Sequence, residues 1–256
     1  MPDLLQQLPR QLAAKLQRAF AERLVSVVLY GSAAGSDHHP KYSDINVLCV
    51  LAAVTPRELA ACEDLFRWWR GQGNPSPLLL SESEMAAAAD CFAIEFLDIR
   101  RQHRLLYGKD VLSGLVIDLT RATSLYRMQV QRELRAKLFR LRQKAAGMMS
   151  HDDLLRRLLA DSVSTFCVLF RHALALSGVD VPPQKREIVE RAAATFGIDR
   201  RPLEKLLELR EGRCPPRQVD AAALLGPYLE TIGRVVQAVD SLDAGLDAAA
   251  APEPGS

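Results

Sequence analysis

The segment from Leu24 to Val50 constrains the fold most, because it places a glycine turn and spaced polar residues between two apolar, strand-like runs. The first run, Leu24 to Tyr30, ends at Gly31 and Ser32, and the second run begins at Asp44. A glycine after a strand lets backbone N–H groups approach a phosphate, and a serine hydroxyl can donate to the same group. The segment therefore predicts a strand, a glycine turn, a short helix and a second strand, an arrangement suited to holding phosphates.

Asp44 and Asn46 are two residues apart at the start of the second run. Alternate residues of a strand point to one face, so both side chains are predicted to project from the same face of the sheet. Two converging oxygen ligands suit a Mg²⁺ ion bound to a triphosphate. The structural alternatives are a plain strand-to-helix turn at Gly31 and Ser32, and a cap or loop-end role for Asp44.

This segment resembles the polymerase-β-like nucleotidyltransferase superfamily, whose pattern is Gly-Ser, a spacer, an Asp-x-Asp pair and a third carboxylate on a neighbouring strand. Gly31-Ser32 and Ser43-Asp44 match that pattern at the right spacing. The resemblance implies that Gly31, Ser32 and Ser43 bind the phosphates of a nucleoside triphosphate, with ATP favoured. It also implies that Asp44 ligates Mg²⁺ and serves catalysis. The resemblance is specific over roughly residues 20–110.

The third carboxylate of the family pattern is assigned to Glu95. The apolar run Phe92 to Ile99 predicts a central strand, on which Glu95 would face away from its immediate neighbours. Glu95 is thus the predicted third metal ligand and the acid that helps to deprotonate the incoming hydroxyl. Asp98, nearer the end of the run, is the alternative for this role, and a solvent-exposed edge-strand acid is the structural alternative for Glu95.

Asn46 departs from the family pattern, which has a second aspartate at this position. Its amide oxygen can ligate Mg²⁺ but brings no charge, whereas magnesium sites are built mainly from carboxylate and phosphate oxygens. Loss of one charge beside divalent ions costs several kcal/mol of transition-state stabilisation, or roughly a hundredfold in rate. The sequence leaves open a slow enzyme, a one-metal enzyme, and a catalytically degenerate nucleotide-binding or protein-interaction module.

The pattern of elements changes along the chain. Strand and helix patterns alternate up to Asp110, and from Ser124 onward only helical periodicity is found. The prediction is an α+β protein with a small mixed-sheet nucleotidyltransferase-like domain over residues 1–115 and an all-helical bundle over residues 116–244. The tail, residues 245–256, is rich in Ala, Pro and Gly and is predicted to be disordered. This plan resembles the minimal and aminoglycoside-nucleotidyltransferase-like groups.

The charge distribution gives limited information about partners. The net charge of +2 does not indicate binding of nucleic acid. The basic stretch from Arg132 to Lys144 has two interpretations, a helix face that is simply solvated or a surface that faces RNA. The helical bundle is expected to shape a substrate cleft or to mediate contact with a protein partner or a second copy of the chain.

The chain is expected to be cytoplasmic and not bound to a membrane. Its five cysteines are scattered without metal-binding spacing, which is typical of reduced thiols. No apolar stretch of about 18 residues is found, and the first residues lack the basic-then-apolar pattern of a secretory signal.

Overall fold

A computed structural model of the chain describes residues 2–35, 44–89, 91–115, 123–180 and 183–249. The chain divides into two compact units, Met1–Leu119 and Thr120–Ser256. The first unit is built on a four-stranded sheet, and the regular elements of the second unit are helices among its described residues. This confirms the α+β class and the order of sheet before bundle.

The elements of the first unit are helix α1 (Pro2–Phe20), strand β1 (Leu24–Tyr30), strand β2 (Asn46–Leu51), helix α2 (Pro56–Gly71), strand β3 (Leu78–Ser81), helices α3 (Glu82–Ala88) and α4 (Ala93–Arg101), and strand β4 (His103–Gly108). The helices of the second unit are α5 (Thr123–Ala146), α6 (Asp152–Leu176), α7 (Lys185–Phe196), α8 (Arg201–Arg210) and α9 (Ala221–Ala249).

The sheet is mixed, with the strand order β3-β2-β1-β4. Strand β1 runs antiparallel to both β2 and β4, whereas β2 and β3 are parallel. In this register Tyr30 lies opposite Asn46 on one side and opposite His103 on the other. The last residue of β1 and the first residues of β2 and β4 therefore meet at one end of the sheet.

One face of the sheet is covered by helices α1 and α2. The cluster on this face contains the alternate residues of the second strand segment together with large helix side chains: Ile45, Val47, Cys49 and Leu51 with Leu12, Leu16, Phe20 and Trp69. Because Ile45 and Val47 enter this core, strand alternation directs the side chain of Asn46 to the opposite face.

Two helices of the first unit begin at local caps. Thr55 caps α2, where its hydroxyl accepts a hydrogen bond from the Arg57 N–H at 3.3 Å, and Pro56 occupies the first helical position. Ser81 and Glu84 form a capping box at the start of α3. Such motifs depend on neighbours in sequence, so the sequence alone locates them.

The start of α2 also holds a buried carboxylate, Glu58. It accepts a hydrogen bond from the Thr55 hydroxyl and pairs with Arg23. The hydrogen bond from Thr55 and the charge of Arg23 hold the pKa of Glu58 below its ordinary value of 4.5. The ionised form is therefore favoured in the folded state.

We expect this carboxylate to make the stability of the chain sensitive to acid. A glutamate with a lowered folded pKa contributes stability that is complete above its unfolded pKa, about 4.5, and is lost as the pH falls through the folded value. We expect the free energy of unfolding, measured with urea from about pH 6 to about pH 3, to fall less steeply with decreasing pH in Glu58→Gln than in the wild type. Glu63→Gln, at an exposed position on the same helix, is the control. An acid sensitivity that is unchanged in Glu58→Gln would contradict the assignment.

The prediction of a central strand over Phe92 to Ile99 is wrong, since Ala93–Arg101 forms α4. The buried residues Ala93, Phe96 and Ile99 recur every three positions, which is helical spacing. The periodicity of a short apolar run fits either a strand or a buried helix, and in the structure this run is helical. The strand beside β1 starts instead at His103.

The second unit packs around α6, whose side chains are extensively buried. Phe166 of this helix meets the ring of Tyr228 of α9 edge to face at 6.0 Å between centroids. The Tyr228 and Ser162 hydroxyls share a hydrogen bond of 3.0 Å. Among the described helices, α6 alone has the length and apolar composition of a membrane span, and most of its apolar stretch is buried within the protein.

Helix α9 continues to Ala249, five residues into the tail that was predicted to be disordered from residue 245. Two of these five residues are alanine, which has the highest intrinsic helix propensity. The final residues, 250–256, lie outside the described part of the chain.

Candidate nucleotide-binding site

The glycine turn follows β1 directly. Residues Gly31–Ala34 form one short 3₁₀ turn, and Gly31 has a φ of +75°, in the left-handed region that side-chain-bearing residues rarely adopt. A Cβ added at Gly31 would lie 3.5 Å from Nδ2 of Asn46, an ordinary contact. The backbone conformation, rather than lack of space, therefore requires glycine here.

Asn46 lies immediately beside this turn. It is half-buried, is the first residue of β2 and pairs with Tyr30. Asp44 is exposed two residues earlier, and Ile45 between them is buried in the core. Because neighbours alternate along extended chain, Asp44 and Asn46 are directed away from the core that Ile45 enters. The structure thus places this pair at the same end of the sheet as Gly31.

The donor set at this end fits a magnesium ion in its chemistry. Asp44 offers a carboxylate and Asn46 an amide oxygen, both hard ligands. Mg²⁺ is commonly held by one or two carboxylates together with substrate phosphates and water. Among the described residues, no group of three or more His, Cys, Asp and Glu side chains is arranged to hold a metal. A metal at Asp44 and Asn46 would thus rely on phosphate oxygens for its remaining ligands.

Sequence reasoning missed the corner between α4 and β4, which closes the other side of the turn. The Gly31 N–H donates to the carbonyl oxygen of Gln102 at 3.0 Å. The next residue, His103, pairs with Tyr30, and its Nδ1 is 2.8 Å from the carbonyl oxygen of Arg100. The available sequence signal was the polar run from Arg100 to Arg104 between two apolar runs, which marks a break in the chain but does not identify what it contacts.

Tyr30 lies between Asn46 and His103 in the sheet. Burial raises the pKa of its phenol above 10.0. The hydroxyl therefore stays protonated at neutral pH and does not add a negative charge to this end of the sheet.

Glu95 lies on a different element from the one predicted. It is exposed in the first turn of α4, seven residues before Gln102, or about 10 Å along the helix axis. Asp98, the alternative acid, is half-buried and one turn from the corner, where its carbonyl oxygen accepts the Gln102 N–H at 3.2 Å. The strand argument for Glu95 no longer holds, and its catalytic role stays a prediction.

Of the two serines predicted to bind nucleotide, only Ser32 lies within the described part of the chain. Ser32 is half-buried within the glycine turn, next to Gly31. Ser43, predicted to bind nucleotide, lies outside the described residues. Gly31, Ser32 and Asn46 are therefore brought together at one end of the sheet, and Asp44 precedes Asn46 by two residues.

Comparisons with known proteins give a likeness in structure. No protein-family model and no curated protein matches the chain by sequence. The crystal structure of spectinomycin adenyltransferase AAD(9) from Enterococcus faecialis, with ATP and spectinomycin, is similar over 90% of this chain and 98% of that chain. Its TM-score is 0.57 and its sequence identity is 15%. At this identity the likeness establishes the fold.

Two further solved structures match about half of this chain. A toxin-antitoxin with AMP-PNP covers 50% of this chain and 93% of its own, at 19% identity and a TM-score of 0.31. The tri-AMPylated Shewanella oneidensis HEPN toxin in complex with MNT antitoxin covers 51% and 93%, at 21% identity and a TM-score of 0.29. Of the three structures, the adenyltransferase is the one that covers most of both chains.

Proposed function

We propose that this chain, which has the fold of the polymerase-β-like nucleotidyltransferases, transfers a nucleoside monophosphate from a nucleoside triphosphate, with ATP favoured, to an acceptor hydroxyl, phosphate or protein side chain. The observation that carries the proposal is that the left-handed glycine turn lies beside Asn46, whose Nδ2 would be 3.5 Å from a Cβ added at Gly31. Asp44 precedes Asn46 by two residues at the same end of the sheet. A backbone turn that can hold phosphates and hard oxygen ligands for a divalent ion are what this chemistry needs.

Each residue has a distinct part in the proposed reaction. The Gly31 turn and the Ser32 hydroxyl bind the β- and γ-phosphates, with Ser43 as a further donor. Asp44 and Asn46 would hold a Mg²⁺ ion where it helps to orient the triphosphate, and the bound ion would neutralise charge developing on the phosphates.

The acceptor oxygen attacks the α-phosphorus in line and forms the new P–O bond as the bond to pyrophosphate breaks. The acceptor proton passes to a carboxylate, for which Glu95 is the proposed acid and Asp98 the alternative.

A comparison of Glu95→Gln with Asp98→Asn decides between these acids. We expect the variant that lacks the true proton acceptor to lose about a hundredfold or more in transfer rate, since general base catalysis contributes at least that much. Binding of AMP-PNP should be unchanged in both variants, because the proton is transferred only during reaction. Wild-type rates in both variants would exclude both acids.

The alternative is a non-catalytic nucleotide-binding or protein-interaction module. Asn46, in place of an acid, favours it, because the amide leaves Asp44 as the only charged member of the pair. In that case a protein partner or a second copy of the chain would engage the helical bundle. A cytoplasmic location, where ATP is plentiful, belongs to both forms of the proposal.

Calorimetric titration with AMP-PNP, in the presence and absence of Mg²⁺, tests nucleotide binding directly. We expect binding that depends on the metal. Transfer is then measured with ATP labelled at the α-phosphate and a panel of acceptors that includes spectinomycin, the compound in the similar adenyltransferase structure. Binding without transfer to any acceptor would favour the non-catalytic module, and no binding with either Mg²⁺ or Mn²⁺ would refute the site.

A further inference from the structure

We infer that Gln102 is a positioning residue that holds both ends of the phosphate-binding turn. The inference rests on the proposed function, because it assumes that the turn from Gly31 to Gly35 receives the triphosphate. It concerns a residue outside the Gly-Ser and Asp-x-Asn motifs, 56 positions after Asn46 in the chain.

The first end of the turn is held by the backbone of Gln102. Its carbonyl oxygen accepts the Gly31 N–H at 3.0 Å. Gln102 is itself anchored, because its N–H donates to the Asp98 carbonyl oxygen at 3.2 Å as α4 ends. The left-handed Gly31 is thus tied to the end of a helix rather than left as a free hinge.

The last residue of the turn is held by the side chain of Gln102. A Cβ added at Gly35 would lie 1.7 Å from Nε2, 2.6 Å from Cδ and 3.1 Å from Cγ of Gln102, so the side chain lies directly over the glycine. The Gly35 N–H donates to the Ser32 carbonyl oxygen at 3.3 Å, which closes the turn beneath it. Glycine at residue 35 makes room for the glutamine.

One residue therefore sets the separation of the two ends of the turn. Backbone N–H groups bind phosphate well only when they are held in the orientation that the ligand requires. If the side chain of Gln102 is removed, Gly35 loses its packing partner, while the backbone bond to Gly31 is retained. The turn should then spend part of its time in orientations that do not fit the β- and γ-phosphates, which weakens the binding of triphosphate.

The experiment measures the affinity of Gln102→Ala for AMP-PNP with Mg²⁺ and, separately, for AMP. We expect affinity for AMP-PNP to fall about tenfold, comparable to loss of one interaction with a charged group. Affinity for AMP should change by less than about twofold, since AMP lacks the two phosphates that the turn holds. Gln72→Ala, an exposed glutamine at the end of α2 in the same unit, is the matched control and should bind as the wild type does.

A second variant separates positioning from general damage to the fold. Gln102→Met keeps a side chain of similar length over Gly35 and should recover most of the lost affinity, with a thermal midpoint close to that of the wild type. The inference would be overturned if Gln102→Ala bound AMP-PNP as tightly as the wild type, or if the Ala and Met variants lost the same affinity for AMP-PNP. It would also be overturned if Gln102→Ala lost as much affinity for AMP as for AMP-PNP. Failure of the wild-type chain to bind AMP-PNP would instead refute the proposed function.

Discussion

Replacement of Asn46 by aspartate is expected to raise Mg²⁺-dependent transfer by about a hundredfold. The side chains of asparagine and aspartate are nearly the same size, and even a Cβ added at the neighbouring Gly31 would lie at ordinary contact distance from Nδ2. The substitution therefore adds charge with little change in shape. A second carboxylate beside the metal strengthens its binding and the stabilisation of charge in the transition state by several kcal/mol, and each 1.4 kcal/mol corresponds to about tenfold in rate.

The measurement is the initial rate of label transfer from ATP as a function of Mg²⁺ concentration. In Asn46→Asp the rate should rise and half-saturation should move to lower Mg²⁺, because the metal is bound more tightly. Gln72→Glu is the control, because Gln72 is exposed at the end of α2 and the same change from amide to carboxylate adds a charge to this unit without replacing a proposed ligand. A folded Asn46→Asp protein with unchanged metal dependence would show that the missing charge does not limit this site.

Much of the sheet unit could be predicted from the sequence because its signals are local. The first strand is an apolar run stopped by Gly31, and α2 begins at a Thr55-Pro56 cap. The Gly-Ser turn and the Asp44-x-Asn46 pair come together because β1 and β2 are adjacent antiparallel strands. Strands that are consecutive in the chain commonly lie next to each other in a sheet, so the order in the sequence carries spatial information.

The other side of the site could not be predicted, because it depends on contacts between distant parts of the chain. The run around Glu95 has apolar residues that suit either a strand or a helix, and packing decides between them. The contact of Gln102 with Gly31 and Gly35 joins positions about 70 residues apart, and no local pattern reports it. The burial of Glu58 against Arg23 is likewise a tertiary feature.

Replacement of Asp44 by asparagine is expected to abolish Mg²⁺-dependent binding of AMP-PNP and to lower transfer by about a hundredfold to a thousandfold. Asp44 is the only carboxylate of the pair at this end of the sheet, because position 46 already carries an amide. The variant would therefore present two neutral oxygens to a divalent ion, which magnesium binds poorly in proteins. A site with two aspartates would keep one charge after the same change, so the loss here should be the more complete.

Calorimetry with AMP-PNP at several Mg²⁺ concentrations measures this effect without knowledge of the acceptor. Asp64→Asn, at an exposed position on α2, removes the same charge elsewhere in the unit and should leave binding unchanged. The double variant Asp44→Asn with Asn46→Asp moves the single carboxylate by two residues on the same face. Partial recovery of metal-dependent binding in the double variant would show that the two positions share one ion. Full Mg²⁺ dependence in Asp44→Asn alone would mean that the ion is held elsewhere, and the metal site at this end of the sheet would have to be abandoned.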